Sequence, residues 1–157
     1  MTAELVSERR GSTLVLTITD AATRNTLSAQ VIAAGIESLG AAEANPEIRC
    51  VVLQGAGGHF CAGGNVQGLV ERRAAGEAVQ RRMIDHLHHW IETMASYPKP
   101  IVAAVEGAAA GAGFSLALAC DLIVAASDAA TTRSQASASE KPAPAAAPST
   151  AATIGLG

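Results

Sequence analysis

The stretch IVAAVEGAAAGAGFSLALACDLIVAA, residues 101–126, is the most apolar part of the chain and decides its fold class. Ile101–Val105 is a continuous apolar run that predicts a buried strand. Glycine and alanine over residues 107–113 predict a turn, residues 114–120 a helix, and residues 121–126 a second strand. A strand, a helix and a strand in this order are typical of a parallel crossover and therefore of an α/β fold.

A membrane span is the alternative interpretation of the same stretch. Glu106 and Asp121 interrupt it and leave fourteen uncharged residues between them, whereas a spanning helix needs about 20. Gly107 and Gly111 have the GxxxG spacing, but small residues also let segments of water-soluble proteins approach closely. The stretch therefore predicts buried protein core, and no membrane partner is expected.

Upstream, the chain repeats the alternation of strand and helix. The β-branched run Thr13–Thr19 predicts a strand, and the polar residues 20–25 predict a turn. Ser28 can cap a helix that ends at Asn45-Pro46. Residues 49–53 predict a further buried strand of a parallel sheet. The apolar residues of the helix recur at helical spacing and are Val31, Ile32, Gly35, Ile36 and Leu39.

Residues 66–95 carry charged and apolar residues at helical spacing and predict one long helix, stopped by the proline-rich residues 97–100. Its buried face is expected to consist of Met83, Leu87, Trp90, Ile91 and Met94. After Asp128 the composition changes to alanine, serine, threonine and proline, which predicts a disordered tail. The sequence thus divides into a domain, 1–128, and a low-complexity tail, 129–157. The tail could be a natural linker, an artificial extension or the product of a shifted reading frame; we favour the last.

Composition excludes several classes of partner. The net charge is −3 and no basic run is present, so nucleic acid is not an expected partner. Cys50, Cys61 and Cys120 form no CxxC pair, which argues against a zinc site or a disulfide framework. The first ten residues lack the apolar segment of a secretory signal, so a cytoplasmic location is expected.

Two loops built from small residues follow predicted strands, at residues 59–65 and 106–114. Small residues let a ligand lie against the backbone. The second loop runs into a helix, whose first N–H groups have no partner within the helix and attract anions. Two such loops side by side would form an oxyanion hole.

Three motifs carry a resemblance to a known family: Arg-Asn-Thr-Leu at 24–27, Phe-Cys-Ala-Gly-Gly-Asn at 60–65, and Gly-Ala-Gly at 111–113 continuing to Cys-Asp-Leu at 120–122. In order and spacing they resemble the signatures of the crotonase superfamily, the enoyl-CoA hydratase/isomerase family. The resemblance extends from Leu5 to Asp128. It implies a spiral of repeated strand-strand-helix units, incomplete at its C-terminal side, and a homotrimer or hexamer for a full-length relative.

The resemblance also assigns roles to individual residues. Gly64 and Ala112 match the two backbone N–H donors that hold the thioester oxygen, and Ala62 matches a carbonyl that contacts adenine. Arg24 lies where relatives place a basic residue near the phosphates of coenzyme A, and Gly63 and Gly111 complete the coenzyme A contacts. Ser115 stands where hydratases carry their first glutamate. Coenzyme A is expected as part of the substrate, with no prosthetic group and no metal.

Two functional hypotheses follow. Because a serine cannot replace a carboxylate base, and because a second family acid would lie beyond the matching residues, the first is an acyl-CoA enzyme of fatty acid metabolism that is isomerase-like or ring-modifying rather than a plain hydratase. The second is a truncated, inactive remnant that still binds acyl-CoA. In either case the isolated chain is expected to aggregate or to need a partner, because the C-terminal helices of relatives would be missing.

Other residues invite a functional interpretation that we consider weaker. His59 could be a base, Cys61 a nucleophile, and Glu106 or Asp121 a base. A surface position in a polar turn is favoured for His59, packing for Cys61, and structural or salt-bridging roles for the two acids. The histidines at 86, 88 and 89 lack the spacing of a helical metal site and are expected to face solvent. Gly111-x-Gly113 could open a dinucleotide site, but such a motif usually follows the first strand of its domain.

Overall fold

A computed structural model describes residues 3–65, 68, 70, 74 and 76–132 of the chain. Its strands and helices alternate as the sequence predicts, and the α/β class is confirmed. The strands are β1 Glu4–Arg10, β2 Thr13–Thr19, β3 Cys50–Gly55, β4 Ile101–Val105, β5 Ala108–Ala110, β6 Leu122–Ala125 and β7 Ala130–Thr132. The helices are α1 Ala29–Ala44, α2 Glu77–Ala95 and α3 Ala112–Leu118, with a short 3₁₀ turn at Ala21–Thr23.

Five strands form the main sheet in the order β1-β2-β3-β4-β6. β2, β3, β4 and β6 run parallel, so their carboxyl ends and the loops that follow them lie at one edge of the sheet. β1 is antiparallel to β2. The four predicted strands are thus parallel as expected, and β1 is an additional strand that the sequence did not predict.

One face of the sheet carries the core. Leu16, Leu53, Ala103 and Ile123 lie opposite one another across four strands, and the first three are fully buried. Residues of α1 and α2 join the same buried cluster, and it includes the fully buried Trp90 of α2. Burying aliphatic side chains of this size contributes roughly 1.5–3 kcal/mol each, so this face provides most of the driving force for folding.

Helix α1 has the ends that the sequence predicts. The Ser28 hydroxyl accepts a hydrogen bond from the backbone N–H of Val31 at 3.2 Å, which satisfies one of the unpaired donors of the first turn. At the other end, Asn45 is the C-cap. The Lys99 ammonium donates to the carbonyls of Ala42 and Asn45, and a cation at this end also interacts favourably with the helix dipole.

The helix predicted over residues 66–95 is interrupted at Gly76: residues 68, 70 and 74 are helical, and the other residues of 66–75 lie outside the described residues. α2 begins only at Glu77, because Gly76 has φ 113 and cannot continue a helix. Of the residues predicted for its buried face, Trp90 and Met94 are buried. Met83, Leu87 and Ile91 are partly buried and pack against the core.

Two further expectations need correction. Residues 107–113 are more than a turn, because Ala108–Ala110 form β5 and α3 begins at Ala112 rather than at residue 114. The predicted disordered tail includes β7, which pairs with β5 in a second, parallel two-stranded sheet. The rest of the predicted tail, 133–157, lies outside the described residues.

Among the described helices, none combines the length and the apolar character needed to cross a membrane.

Candidate functional site

The loop after β3, residues 59–64, runs beside β5. The backbone N–H of Phe60 donates to the carbonyl of Glu106 at 2.8 Å, and that of Cys61 donates to Ala108 at 3.0 Å. In return, the N–H of Ala110 donates to the Cys61 carbonyl at 2.9 Å. The two small-residue loops recognised in the sequence are therefore neighbours at the carboxyl edge of the parallel strands.

Glycine is required where the two loops touch. Gly63 is buried and has φ 89, and a Cβ atom there would lie 2.6 Å from the Ala110 carbonyl oxygen and 3.1 Å from the backbone nitrogen of Ala112. A Cβ on Gly113 would overlap the carbonyl of Cys61. Backbone thus packs directly on backbone, and side chains at these positions would push the loops apart.

The peptide that joins Gly63 and Gly64 has a fixed orientation. Its carbonyl accepts a hydrogen bond from the N–H of Leu27 at 2.7 Å. A trans peptide directs its C=O and N–H to opposite sides, so the Gly64 N–H points away from the start of α1. Gly64 is exposed, and within the described residues no acceptor bonds to its N–H.

The peptide that joins Gly111 and Ala112 is fixed in the same way. The Gly111 carbonyl accepts from the Ser115 N–H at 3.1 Å and from the Ser115 hydroxyl at 3.4 Å. The Ala112 N–H therefore points out of the first turn of α3, and its nitrogen lies beside Gly63. Ala112 is half-buried, and within the described residues no acceptor bonds to its N–H.

The structure brings the other predicted site residues to the same place. The Arg24 carbonyl accepts from the Ala62 N–H at 2.9 Å, so these two residues are neighbours. Arg24 is exposed and has φ 57. Gly111, the N-cap of α3, has φ 53 and is half-buried. Ser115 is exposed on the first turn of α3.

Asn25 is a residue of this region to which sequence reasoning gave no role. It is fully buried, and its side-chain amide contacts three backbone groups of two loops. Asparagine in a polar turn is usually read as a surface residue that tolerates positive φ. The sequence carries no signal for the distant carbonyls with which this side chain bonds.

Burial excludes Cys61 as a nucleophile. Its side chain is fully buried, and burial raises the pKa of the thiol to about 12, so the reactive thiolate does not form near neutral pH. The sulfur instead accepts a hydrogen bond from the N–H of Gly63 at 3.4 Å. The structural role predicted for Cys61 is confirmed.

The remaining candidates also have structural contacts. His59 accepts from the Ala108 N–H through Nδ1 at 3.4 Å, and the Asp121 carboxylate accepts from the Ile101 N–H at 2.8 Å. Glu106 is exposed, and its carbonyl bonds to Phe60. In the part of the chain that the structure describes, no three potential ligands group into a metal site, and the histidines at 86, 88 and 89 are exposed.

Comparison with known families and curated proteins gives consistent matches. A family model described as enoyl-CoA hydratase/isomerase matches residues 8–155. A putative enoyl-CoA hydratase of Thermus thermophilus is 37% identical over 120 residues, which is 76% of this chain and 47% of that protein. The rat mitochondrial 3-hydroxyisobutyryl-CoA hydrolase is 33% identical over 118 residues, 74% of this chain and 31% of that protein.

Solved structures match over the same region. An enoyl-CoA hydratase from Polaromonas sp. JS666 superimposes with a TM-score of 0.83 at 52% identity, covering 89% of this chain and 55% of that one. Pseudomonas aeruginosa AtuE superimposes with a TM-score of 0.78 at 35% identity, covering 81% of this chain and 49% of that one. The chain thus spans about half the length of these relatives or less.

Proposed function

Since the chain belongs to the enoyl-CoA hydratase/isomerase family and has the crotonase-type fold that its motifs indicated, we propose that it binds an acyl-CoA thioester and stabilises the thioester enolate with the backbone N–H groups of Gly64 and Ala112. One observation carries this proposal. Gly63 packs against Ala112, and the carbonyls of the peptides Gly63–Gly64 and Gly111–Ala112 are both held by hydrogen bonds. Within the described residues, no acceptor bonds to the N–H groups of Gly64 and Ala112.

Fixed N–H groups suit the chemistry of a thioester. When a proton leaves the α or γ carbon, or when a nucleophile adds, negative charge develops on the thioester oxygen. Donors that are already oriented stabilise this charge without reorganising, and losing one of them typically costs about 3 kcal/mol of barrier stabilisation. The backbone supplies these donors, so the side chain at residue 112 can be as small as alanine.

Arg24 and Ala62 are placed to hold the coenzyme A part of the substrate. The exposed guanidinium of Arg24 lies on the segment that bonds to Ala62 and can pair with a phosphate. We propose that the Ala62 carbonyl accepts from the adenine amino group and that Gly63 and Gly111 let the ligand approach the backbone. Coenzyme A arrives as part of the substrate, and no prosthetic group is needed.

Ser115 favours isomerisation or ring modification over plain hydration. Its hydroxyl is exposed and donates to the Gly111 carbonyl, and a serine there does not supply the carboxylate base that activates water. The same residue favours a second candidate function, which is binding of acyl-CoA without turnover. For the whole protein, we propose a role in fatty acid metabolism, a homotrimer or hexamer, and a cytoplasmic location. The rat relative is named as mitochondrial.

Calorimetric titration with acetyl-CoA and with S-ethyl-CoA, a thioether that lacks the carbonyl, tests the proposed site. We expect the thioester to bind at least about tenfold more tightly, because only it can accept from the two donors. Gly63→Ala should abolish this preference, because its Cβ would separate the loops. Equal affinity of the unmodified chain for both ligands would contradict the proposal.

Gly58→Ala is the matched control. Gly58 also has positive φ, 74, but a Cβ there meets nothing within 4 Å, so the variant reproduces the backbone strain without the collision. It should keep the preference for the thioester. Turnover is measured separately, as hydration of crotonyl-CoA and as conversion of a 3-enoyl-CoA to the 2-enoyl isomer. Thioester-selective binding with neither reaction would favour the second candidate function.

A further inference from the structure

The side chain of Asn25 is polar and completely buried among the described residues, and both the oxygen and the nitrogen of its amide form hydrogen bonds. Oδ1 accepts from the Asp20 N–H at 2.8 Å, and Nδ2 donates to the Ala56 carbonyl at 2.8 Å and to the His59 carbonyl at 2.7 Å. Its backbone has φ 59, a conformation that asparagine tolerates better than most residues. Asparagine is therefore suited to this position both by its backbone and by its amide.

The bond to Asp20 lies within the loop after β2, and the two bonds to Ala56 and His59 connect this loop to the loop after β3. The amide donates to the carbonyls of Ala56 and His59. The next residue, Phe60, donates its N–H to the carbonyl of Glu106, just before β5. The amide thus fixes the start of the segment that ends at Gly64. Without it, two part-buried carbonyls would lose their donor, and the loop would be expected to rearrange locally.

The residues on either side of Asn25 contact the same segment further along. The Arg24 carbonyl accepts from Ala62, and the Leu27 N–H donates to the Gly63 carbonyl. The second bond sets the direction of the Gly64 N–H, since it holds the other side of that peptide. Asn25 and Leu27 are two residues apart and hold the same segment at its two ends, Ala56 with His59 and Gly63, so a shift of Asn25 would be transmitted to the Gly64 donor through Leu27.

We propose that Asn25 is a positioning residue that orients the Gly64 N–H towards the thioester oxygen. The inference rests on the proposed function and deepens it, since Asn25 does not touch the substrate but acts through Leu27 and Gly63. It predicts that loss of the amide weakens recognition of the thioester carbonyl and leaves the binding of the rest of coenzyme A unchanged. A role in folding alone would weaken both equally.

Two variants separate these roles. Asn25→Gly removes the amide and keeps a residue that accepts positive φ. Asn25→Asp keeps the size and the Oδ1 acceptor but replaces the donor to the Ala56 and His59 carbonyls with an oxygen. Asn45→Asp is the control, because Asn45 also accepts a backbone N–H, that of Glu47 at 3.0 Å, but does so at the far end of α1.

The experiment uses the full chain and acetyl-CoA labelled with ¹³C at the carbonyl. The infrared carbonyl stretch of the bound ligand measures its polarisation, and the affinity ratio of acetyl-CoA to S-ethyl-CoA measures its effect on binding. In the unmodified chain and in Asn45→Asp we expect the stretch to fall in frequency on binding. In both Asn25 variants this fall should shrink and the affinity ratio should decrease about threefold, less than the loss from deleting a donor outright. The affinity for S-ethyl-CoA should stay within about twofold.

The outcomes distinguish the inference from the proposed function. If the unmodified chain binds without polarising the carbonyl, the proposed function fails and the role of Asn25 fails with it. If it polarises the carbonyl and the folded Asn25 variants do so equally, only the inference is overturned. Loss of the fold in both Asn25 variants, seen by circular dichroism, would also overturn it, because Asn25 would then be a folding residue.

Discussion

Cys61 lies in the candidate site, but its thiol is buried and unreactive. Its sulfur accepts a hydrogen bond from the N–H of Gly63, and burial raises the pKa of the thiol from 9.0 to about 12. Cys120 has a pKa raised to about 12 by burial and by the neighbouring Asp121. Both thiols therefore stay protonated over the range in which an unfolded cysteine ionises.

These raised pKa values predict how stability changes with pH. A group with a folded pKa above its unfolded value keeps its contribution below the unfolded pKa and loses it as pH rises towards the folded one. The free energy of unfolding should therefore not change with pH through Cys61 below pH 9.0, and it should fall with pH above that value, up to about pH 12. The expected slope for one thiol is about 1.4 kcal/mol per pH unit.

Urea unfolding at several pH values above 9 measures this slope, with Cys61→Ala as the comparison. The pKa of Tyr97 is also raised, by burial and by Glu43, so the tyrosine adds to the total slope in both proteins. The difference between the two proteins isolates Cys61. Equal slopes with and without the Cys61 thiol would contradict the prediction.

The residues of the site were predictable from sequence to different degrees. Gly64 and Ala112 were identified through the motifs, because a close approach of two backbones restricts which residues can occupy a loop. Asn25 was present in a quoted motif, but its role depends on carbonyls more than thirty positions away in the chain. Local patterns carry no information on such partners, so only the structure revealed it.

At the scale of elements, α1 and α2 approach closely at one glycine. The Trp90 ring of α2 lies against the backbone of α1 at Gly35, and both residues are buried. A Cβ on Gly35 would overlap this ring and lie 2.8 Å from its Nε1. Gly35 is therefore kept small so that the two helices can approach.

A pair of substitutions in the same helix tests this contact. Gly35→Ala should lower the free energy of unfolding by about 2 kcal/mol or more, because the ring must move in a packed core. Gly40→Ala should raise it by up to about 1 kcal/mol, since Gly40 is exposed, nothing lies within 4 Å of its Cβ position, and alanine is the better helix former. Chemical denaturation of both variants measures the two effects, and a Gly35→Ala protein as stable as Gly40→Ala would rule out the contact.

The elements that sequence predicted share a local signal, and those it missed do not. β2 and β4 are dense in apolar residues, and the cap of α1 was visible as Ser28. β1 is an outer strand whose side chains are largely exposed, so burial left little apolar pattern in its sequence. β5 consists of alanines, which disfavour strands, and it forms through backbone pairing with the distant β7.

At the scale of the whole molecule, the two faces of the sheet differ. On the face opposite the core, Val15, Val52, Val102 and Leu122 lie across from one another on four neighbouring strands. Exposure rises along this row, from 6% at Val15 to 59% at Leu122. At the other end of the row, Glu8 lies opposite Val15 and pairs with Arg10, so charges mark that edge of the sheet.

An apolar row that becomes exposed at an outer strand predicts self-association. An outer strand without charges can pair with another chain. The outer strand β1 carries the ion pair of Glu8 and Arg10, whereas the outer strand β6 carries the exposed Leu122. Leu118, at the end of α3, is also 57% exposed and enlarges the apolar surface near β6. We therefore expect the chain to associate with copies of itself through the β6 side of the sheet, in agreement with the aggregation expected from its sequence.

Sedimentation velocity at increasing concentration tests this, with two lysine variants of matched chemistry. Leu122→Lys should reduce association at least about tenfold, because burying an ammonium at a contact is costly. Ile84→Lys adds the same charge at another exposed apolar residue, on α2 and away from the sheet, and should leave association unchanged. If both variants reduce association equally, net charge rather than the β6 side controls it. If the unmodified chain sediments as a single monomer that unfolds cooperatively, the open sheet face is stable in water without a partner.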